Sequence, residues 1–200
     1  RALANNSACY TETPDMAQFM SEWQALYLSH SGERGIFNRT AARKFSPERR
    51  DIDWEFGTNP CSEIVLRPNQ FCNLSEVIVR PKDTLKDLKR KVEIATIIGT
   101  MQATLTDFRY LRSSWKKNTE EEALLGVSLT GIMDHQTLST CRDITKKWLR
   151  EMKDVAINTN ETWAHKLGIN PSSAITCVKP SGTVSQLTNT ASGIHPRHND

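Results

Sequence analysis

The stretch Asn59-Pro60-Cys61-Ser62-Glu63-Ile64 sets an amide, a thiol and a carboxylate at two-residue spacing. In an extended chain residues i and i+2 point the same way, so Asn59, Cys61 and Glu63 are expected to converge on one side of a strand-like loop. The carboxylate decides what chemistry the sulfur can do. A neighbouring negative charge disfavours the thiolate, whereas a nucleophilic cysteine wants a cationic neighbour. A neutral thiol that gives up a hydrogen atom fits the trio better. The carboxylate would then accept a proton and the amide would hold one small substrate by hydrogen bonds.

Two further stretches carry chemical groups. Cys72 lies eleven residues after Cys61, in Phe71-Cys72-Asn73-Leu74-Ser75-Glu76-Val77. A turn between two strands would bring it back beside Cys61, and a structural disulfide between the two is an equal reading of the spacing. Pro180-Ser181-Gly182-Thr183-Val184-Ser185 offers backbone N–H groups and hydroxyls at a helix start, a favourable place for an anion. An ordinary helix cap would use the same residue types. Cys9, Cys141 and Cys177 read as buried, inert thiols. The five cysteines form no CxxC pair and have no histidine at zinc-finger spacing, so no metal site is expected.

Elements must position these groups. Thr13-Pro14-Asp15 predicts a helix start, with Thr13 as the cap. Met16, Phe19, Met20, Trp23, Leu26 and Tyr27 follow at helical spacing and read as a core-packing stripe. Ser31-Gly32 is the expected stop. A short extended piece at Gly35-Ile36-Phe37 leads into a short helix over Arg39–Lys44, then a loop over 45–58. Strands are predicted at 63–66 and 76–79, separated by Arg67-Pro68-Asn69-Gln70. A long helix is predicted over 84–108, with apolar residues at three- and four-residue intervals. A strand at 125–129, a helix over 138–167 stopped by Gly168, and a buried strand at 174–178 complete the pattern. Strands alternating with long helices favour α/β layering.

Bulk properties exclude several classes. The 200 residues are 38% hydrophobic and 24% charged, which argues against disorder and against a membrane protein. A formal net charge of +3 is too small to imply nucleic-acid binding, and basic clusters such as Arg49-Arg50, Lys89-Arg90-Lys91 and Lys146-Lys147 read as solvated faces. No apolar run approaches the ~20 residues of a spanning helix, and no signal-peptide layout is present. The cytoplasm is the expected location.

Asn-Pro-Cys-x-Glu-Ile followed by Phe-Cys-Asn-Leu-x-Glu-Val resembles the active-site strand and loop of ribonucleotide reductases, most closely the monomeric adenosylcobalamin-dependent (class II) triphosphate reductases. Ser31-Gly32-Glu33-Arg34-Gly35-Ile36-Phe37-Asn38-Arg39, Leu125-Gly126-Val127-Ser128-Leu129-Thr130-Gly131 and Lys179-Pro180-Ser181-Gly182-Thr183-Val184-Ser185 agree with it in order. The resemblance implies a ten-stranded α/β barrel with long helices outside and the radical cysteine on a central finger loop. Residues 1–200 would supply part of that barrel domain.

By resemblance, Cys61 becomes a thiyl radical that takes the ribose 3′ hydrogen. Glu63 handles the 3′-hydroxyl proton, Asn59 holds the ribose hydroxyls, and Cys72 is one of two cysteines that reduce the 2′ carbon. Pro180, Ser181, Gly182, Thr183, Val184 and Ser185 receive the substrate phosphates. Adenosylcobalamin is the implied cofactor, a ribonucleoside di- or triphosphate the substrate and a dithiol such as thioredoxin the reductant. Ser62 stands where the family most often has Gly, and serine is expected to fit an extended loop there. The redox partner of Cys72 and the reloading tail cysteines are expected outside this stretch, on a complementary segment or chain. Two other readings stand beside this one: the catalytic subunit of an iron-dependent reductase, and a non-catalytic nucleotide-binding half.

Overall fold

The computed structural model describes residues 6–30 and 34–197. The chain divides into two compact units at Pro68, within the stretch expected to separate two strands.

The first unit runs to Pro68. Strand β1 (Asn6–Tyr10) lies parallel to β2 (Arg34–Asn38), with helix α1 (Met16–Ser29) between them in sequence. The cap of α1 is Asp15, whose side chain accepts from the Gln18 N–H at 2.9 Å, rather than Thr13. A carboxylate there satisfies an otherwise orphaned N–H and suits the positive helix end. His30, in the left-handed region, forms the C-cap. The expected stop at Ser31-Gly32 lies outside the described residues. No residue of α1 is buried, so its aromatic stripe is not core packing within this chain. Helix α2 (Arg39–Lys44) begins at Asn38, whose side chain accepts from the Ala41 N–H. Strands β3 (Gly57–Thr58) and β4 (Val65–Leu66) then form a small antiparallel hairpin.

The second unit, from Asn69 onward, holds the main core. Strand β5 (Asn73–Ile78) lies parallel to β6 (Leu125–Thr130), in register from Asn73 opposite Leu125. Helix α3 (Leu85–Gln102) joins them, opened by a capping box between Thr84 and Asp87. It ends six residues before the expected limit at 108. Thr104 and Thr106 bond instead to the Met101 carbonyl and the Glu120 carboxylate, which competes with helix continuation.

Helix α4 (Ser113–Glu122) was not expected from periodicity, because it has almost no apolar stripe. Its inward residues Asn118, Thr119 and Glu122 are polar, and they receive Gln70 and the Phe71 N–H. Helix α5 (Asp143–Leu167) starts later than expected, after a short 3-10 turn at Leu138–Thr140. Gly168 caps it in the left-handed conformation, as expected.

Segment 174–177 runs alongside β6 on the side away from β5. The Leu125 and Val127 N–H groups donate to Ala174 and Ile175, and the Cys177 N–H donates back to Val127. Its single ladder bridge, at Thr176, is parallel. A short helix α6 (Thr183–Thr188) follows the loop at 180–182.

Side-chain alternation gives this sheet two different faces. Val77, Val79, Leu125, Val127 and Ile175 pack with Leu88, Val92 and Ala95 of α3 and Met152 and Ala156 of α5. The opposite parity carries Cys72, Glu76, Ser128 and Thr130. Gly131, at the end of β6, has φ +82, and a Cβ there would meet the Val79 carbonyl at 2.7 Å. Only glycine allows that turn without displacing backbone.

Candidate active site

In the first unit the Cys61 stretch is a turn, not the extended strand expected. The Ser62 N–H donates to the Asn59 carbonyl at 2.9 Å, with Pro60 and Cys61 at the central positions. Pro60 suits the first of these because its φ is preset. Asn59 closes the loop twice: its N–H donates to the Ile64 carbonyl at 3.3 Å, and its side-chain oxygen accepts from the Ile64 N–H at 3.0 Å. Asn59, Cys61 and Glu63 therefore lie on a closed loop rather than on an alternating strand. Cys61 is exposed and Glu63 half-buried.

Ser62 has φ +62, in the left-handed region that favours glycine. Its backbone is thus not the extended conformation expected for it. A residue in this conformation directly after the turn is a common hairpin device. Its hydroxyl lies 3.4 Å from that of Thr58.

The segment leading into the hairpin is fixed by arginines to which the sequence reading gave no role. Arg39 and Arg43, one helical turn apart on α2, donate to the Phe56 and Trp54 carbonyls, at 2.8 Å for Arg39 Nε and 2.9 Å for Arg43 Nη2. Their i, i+4 spacing was the available signal. Arg50 stacks on the buried Phe56 ring at 4.5 Å, so it is not part of a solvated basic face. Arg67 stacks on Trp54 at 4.2 Å. The Asp51 carboxyl lies below its ordinary pKa, chiefly through the Asp53 N–H and then the Trp54 indole.

In the second unit Cys72 is half-buried and immediately precedes β5. Cys72 and Glu76 are four positions apart on the face away from the helices, about 13 Å along an extended strand. Cys9 and Cys141 are exposed and Cys177 half-buried, not fully buried as expected. Cys141 follows the 3-10 turn in a left-handed conformation, where its side chain does not enter the core.

The loop at 180–185 leaves the sheet beyond the carboxyl ends of its parallel strands. Pro180, Gly182, Thr183 and Val184 are exposed, whereas Ser181 and Ser185 are buried. The Ser185 hydroxyl donates to the Ser181 and Gly182 carbonyls at 2.7 and 2.8 Å. The Ser181 hydroxyl donates to Glu76 Oε2 at 3.0 Å. Of the hydroxyl-bearing residues in this loop, Thr183 is the exposed one.

The following tail is fastened to the end of β6. The Thr130 hydroxyl donates to the Ala191 carbonyl, and the Gly193 N–H donates to Thr130. Arg197 forms a two-pronged pair with Asp134 at 2.8 and 3.0 Å. That guanidinium, before the Ala191 N–H, holds the Asp134 carboxyl below the usual carboxylate range.

No family model matches the chain. A Lactobacillus acidophilus protein named adenosylcobalamin-dependent ribonucleoside-triphosphate reductase is 30% identical over 198 residues, covering 84% of this chain and 26% of that protein. A Euglena gracilis protein of the same name is 30% identical over 173 residues, covering 82% of this chain and 23% of that protein. One from Lactobacillus gasseri is 27% identical over 226 residues, covering 98% of this chain and 29% of that protein. The chain therefore spans about a quarter of the length of the curated relatives it matches. A solved B-12 dependent (class II) ribonucleotide reductase superposes with a TM-score of 0.60 at 20% identity, over 94% of this chain and 34% of that one. That likeness is one of fold.

Proposed function

Because its sequence is akin, over most of its length, to one segment of the adenosylcobalamin-dependent ribonucleoside-triphosphate reductases, we propose that this chain forms part of a catalytic barrel that reduces ribonucleotides to 2′-deoxyribonucleotides. The observation that carries the reading is the sequence kinship itself, a match that spans 98% of the chain and so runs across the positions of Cys61 and Cys72. The relatives reported are of the cobalamin-dependent kind, which favours that class over the iron-dependent one.

The geometry is compatible with each role. Cys61 sits exposed on a turn closed by backbone bonds, so its thiol is reachable by an outside group while its position is held. Adenosylcobalamin, when bound, supplies the radical that takes the thiol hydrogen, and the accessible Cys61 sulfur is this chain's contribution to that step. Cys61 then takes the ribose 3′ hydrogen. Glu63 accepts the 3′-hydroxyl proton, a general-base role for a carboxylate within reach. Asn59 spends its side-chain oxygen on Ile64, which leaves its amide N–H groups to donate to a ribose hydroxyl.

Cys72 reduces the 2′ carbon with a second cysteine. The two end as a disulfide that a dithiol such as thioredoxin reopens. The phosphates rest on the loop of Pro180, Ser181, Gly182, Thr183, Val184 and Ser185. Its place beyond the carboxyl ends of parallel strands, where α/β sheets receive ligands, supports that role. The polar face carrying Cys72 and Glu76 becomes the inner wall of the barrel, which further segments complete. Such an enzyme would act in the cytoplasm.

The test uses the complete reductase containing this segment. Cys61→Ser is expected to abolish turnover without loss of fold, since an O–H bond is far harder to cleave homolytically than S–H. Cys72→Ser is expected to allow the first hydrogen abstraction yet release free base instead of deoxynucleotide. Turnover near the parent rate in the Cys61 variant, or sustained deoxynucleotide formation with a dithiol in the Cys72 variant, overturns the respective assignment.

A further inference from the structure

Glu76 has no part in the roles above, yet its carboxylate reaches across the sheet to the loop at 180–185. Oε2 accepts the Ser181 hydroxyl proton at 3.0 Å, and Ser181 is only 2% exposed. Oε1 is buried and has no hydrogen-bond partner among the described residues. The Ser181 carbonyl accepts from both Ser185 and Ser192, and the Lys179 N–H donates to the Ser128 hydroxyl at 2.9 Å. The loop is thus moored to β5 through Glu76 and to β6 through Ser128.

A serine hydroxyl has one proton. While Ser181 gives it to Glu76, it cannot give it to a phosphate oxygen. We propose that Glu76 is a positioning residue for phosphate recognition: through Ser181 it holds the loop so that the hydroxyl of exposed Thr183 and the loop N–H groups meet the phosphate. The proposal rests on the reading of 180–185 as the phosphate loop. Ser181 then acts as a strut rather than a ligand, and the carboxylate's negative charge is of no benefit to phosphate binding. Its acceptor oxygen is what matters, and a glutamine provides one too.

The test measures KM, kcat and nucleotide dissociation constants in the complete reductase, with the phosphate-free ribonucleoside as a second ligand. Glu76→Ala and Ser181→Ala are each expected to weaken nucleotide binding about tenfold, as loss of a hydrogen bond to a charged group does. Both are expected to keep kcat within about twofold, and the double variant to be no worse than either single one, because the two residues form one unit. Glu76→Gln is expected to bind within about twofold of the parent. Multiplying losses in the double variant mean that Ser181 touches phosphate independently and overturn the proposal. A glutamine variant as weak as the alanine one overturns it too, as does a fall in kcat at unchanged KM.

Thr183→Ala separates this from failure of the underlying reading. If it weakens nucleotide but not nucleoside binding while Glu76→Ala does neither, only the positioning role falls. If Thr183→Ala has no effect and Glu76→Ala weakens both ligands equally, the phosphate-loop reading itself falls.

Discussion

At the scale of single residues, Ser62 is one of six described non-glycine positions with positive φ, and it lies within the motif. A non-glycine residue in the left-handed region costs roughly 1–2 kcal/mol, and Ser62 sits there with φ +62 beside the proposed radical cysteine. Glycine removes that strain but gives the unfolded chain more freedom, worth about 0.4–1 kcal/mol in the opposite sense. Ser62→Gly is therefore expected to stabilise the hairpin by under about 1 kcal/mol and to leave activity of the complete reductase intact. Ser62→Val, whose branched Cβ resists this conformation, is expected to loosen the turn and lower activity. Hydrogen exchange of the Ser62 and Ile64 amides checks both. Faster exchange in the glycine variant than in the parent would mean that the Ser62 hydroxyl, near Thr58, contributes more than the strain costs.

Among elements, the contact between α3, α5 and the approach to segment 174–177 depends on one buried amide. Asn160 donates to the Thr100 hydroxyl at 3.0 Å and the Ser172 hydroxyl at 2.9 Å, and accepts from the Ser172 N–H at 2.8 Å. Asn160 and Thr100 are completely buried, so no water replaces these bonds when the amide is removed. Asn160→Ala is expected to lower stability by about 2–3 kcal/mol, the cost of stranding buried polar groups. The shift of the urea midpoint at unchanged slope measures it, and a loss under about 0.5 kcal/mol would mean that the two helices are held by apolar packing alone. Leu88, Val92, Met152 and Ala156 supply that packing, but apolar contacts do not fix one helical register against another as a directed amide does.

For the whole molecule, exposed apolar surface is the property with the most direct consequence. Met16, Trp23 and Tyr27 of α1 are 74%, 56% and 72% exposed, along one groove-bearing helix. Among the described residues β5 pairs only with β6, which leaves a strand edge open. Open edges and contiguous apolar surface both promote association. The 200-residue chain by itself is expected to self-associate with rising concentration, and replacing Met20 and Trp23 together by lysine is expected to reduce this. Sedimentation velocity over a hundredfold concentration range decides the matter. A monomer throughout would mean that α1 covers its own apolar side chains in solution.

What this sequence determined by itself was local: the short helix α2, the stop of α5 at Gly168, and the α/β alternation of β5, α3 and β6. Each depends on neighbours within a few residues, and local sequence specifies such features directly. Helix α4 was not legible because its inward face is polar and its partner is Gln70, a residue 48 positions from Asn118. From sequence the Asn59–Ile64 loop reads as extended, because a two-residue spacing cannot tell a strand from a closed turn; the bonds that close it decide between them. The mooring of Ser181 to Glu76, 105 positions apart, was likewise decided by tertiary structure alone. Only the parallel pairing of β5, β6 and 174–177 brings that carboxylate and that hydroxyl to the same end of the sheet, and no local pattern in either segment encodes the other.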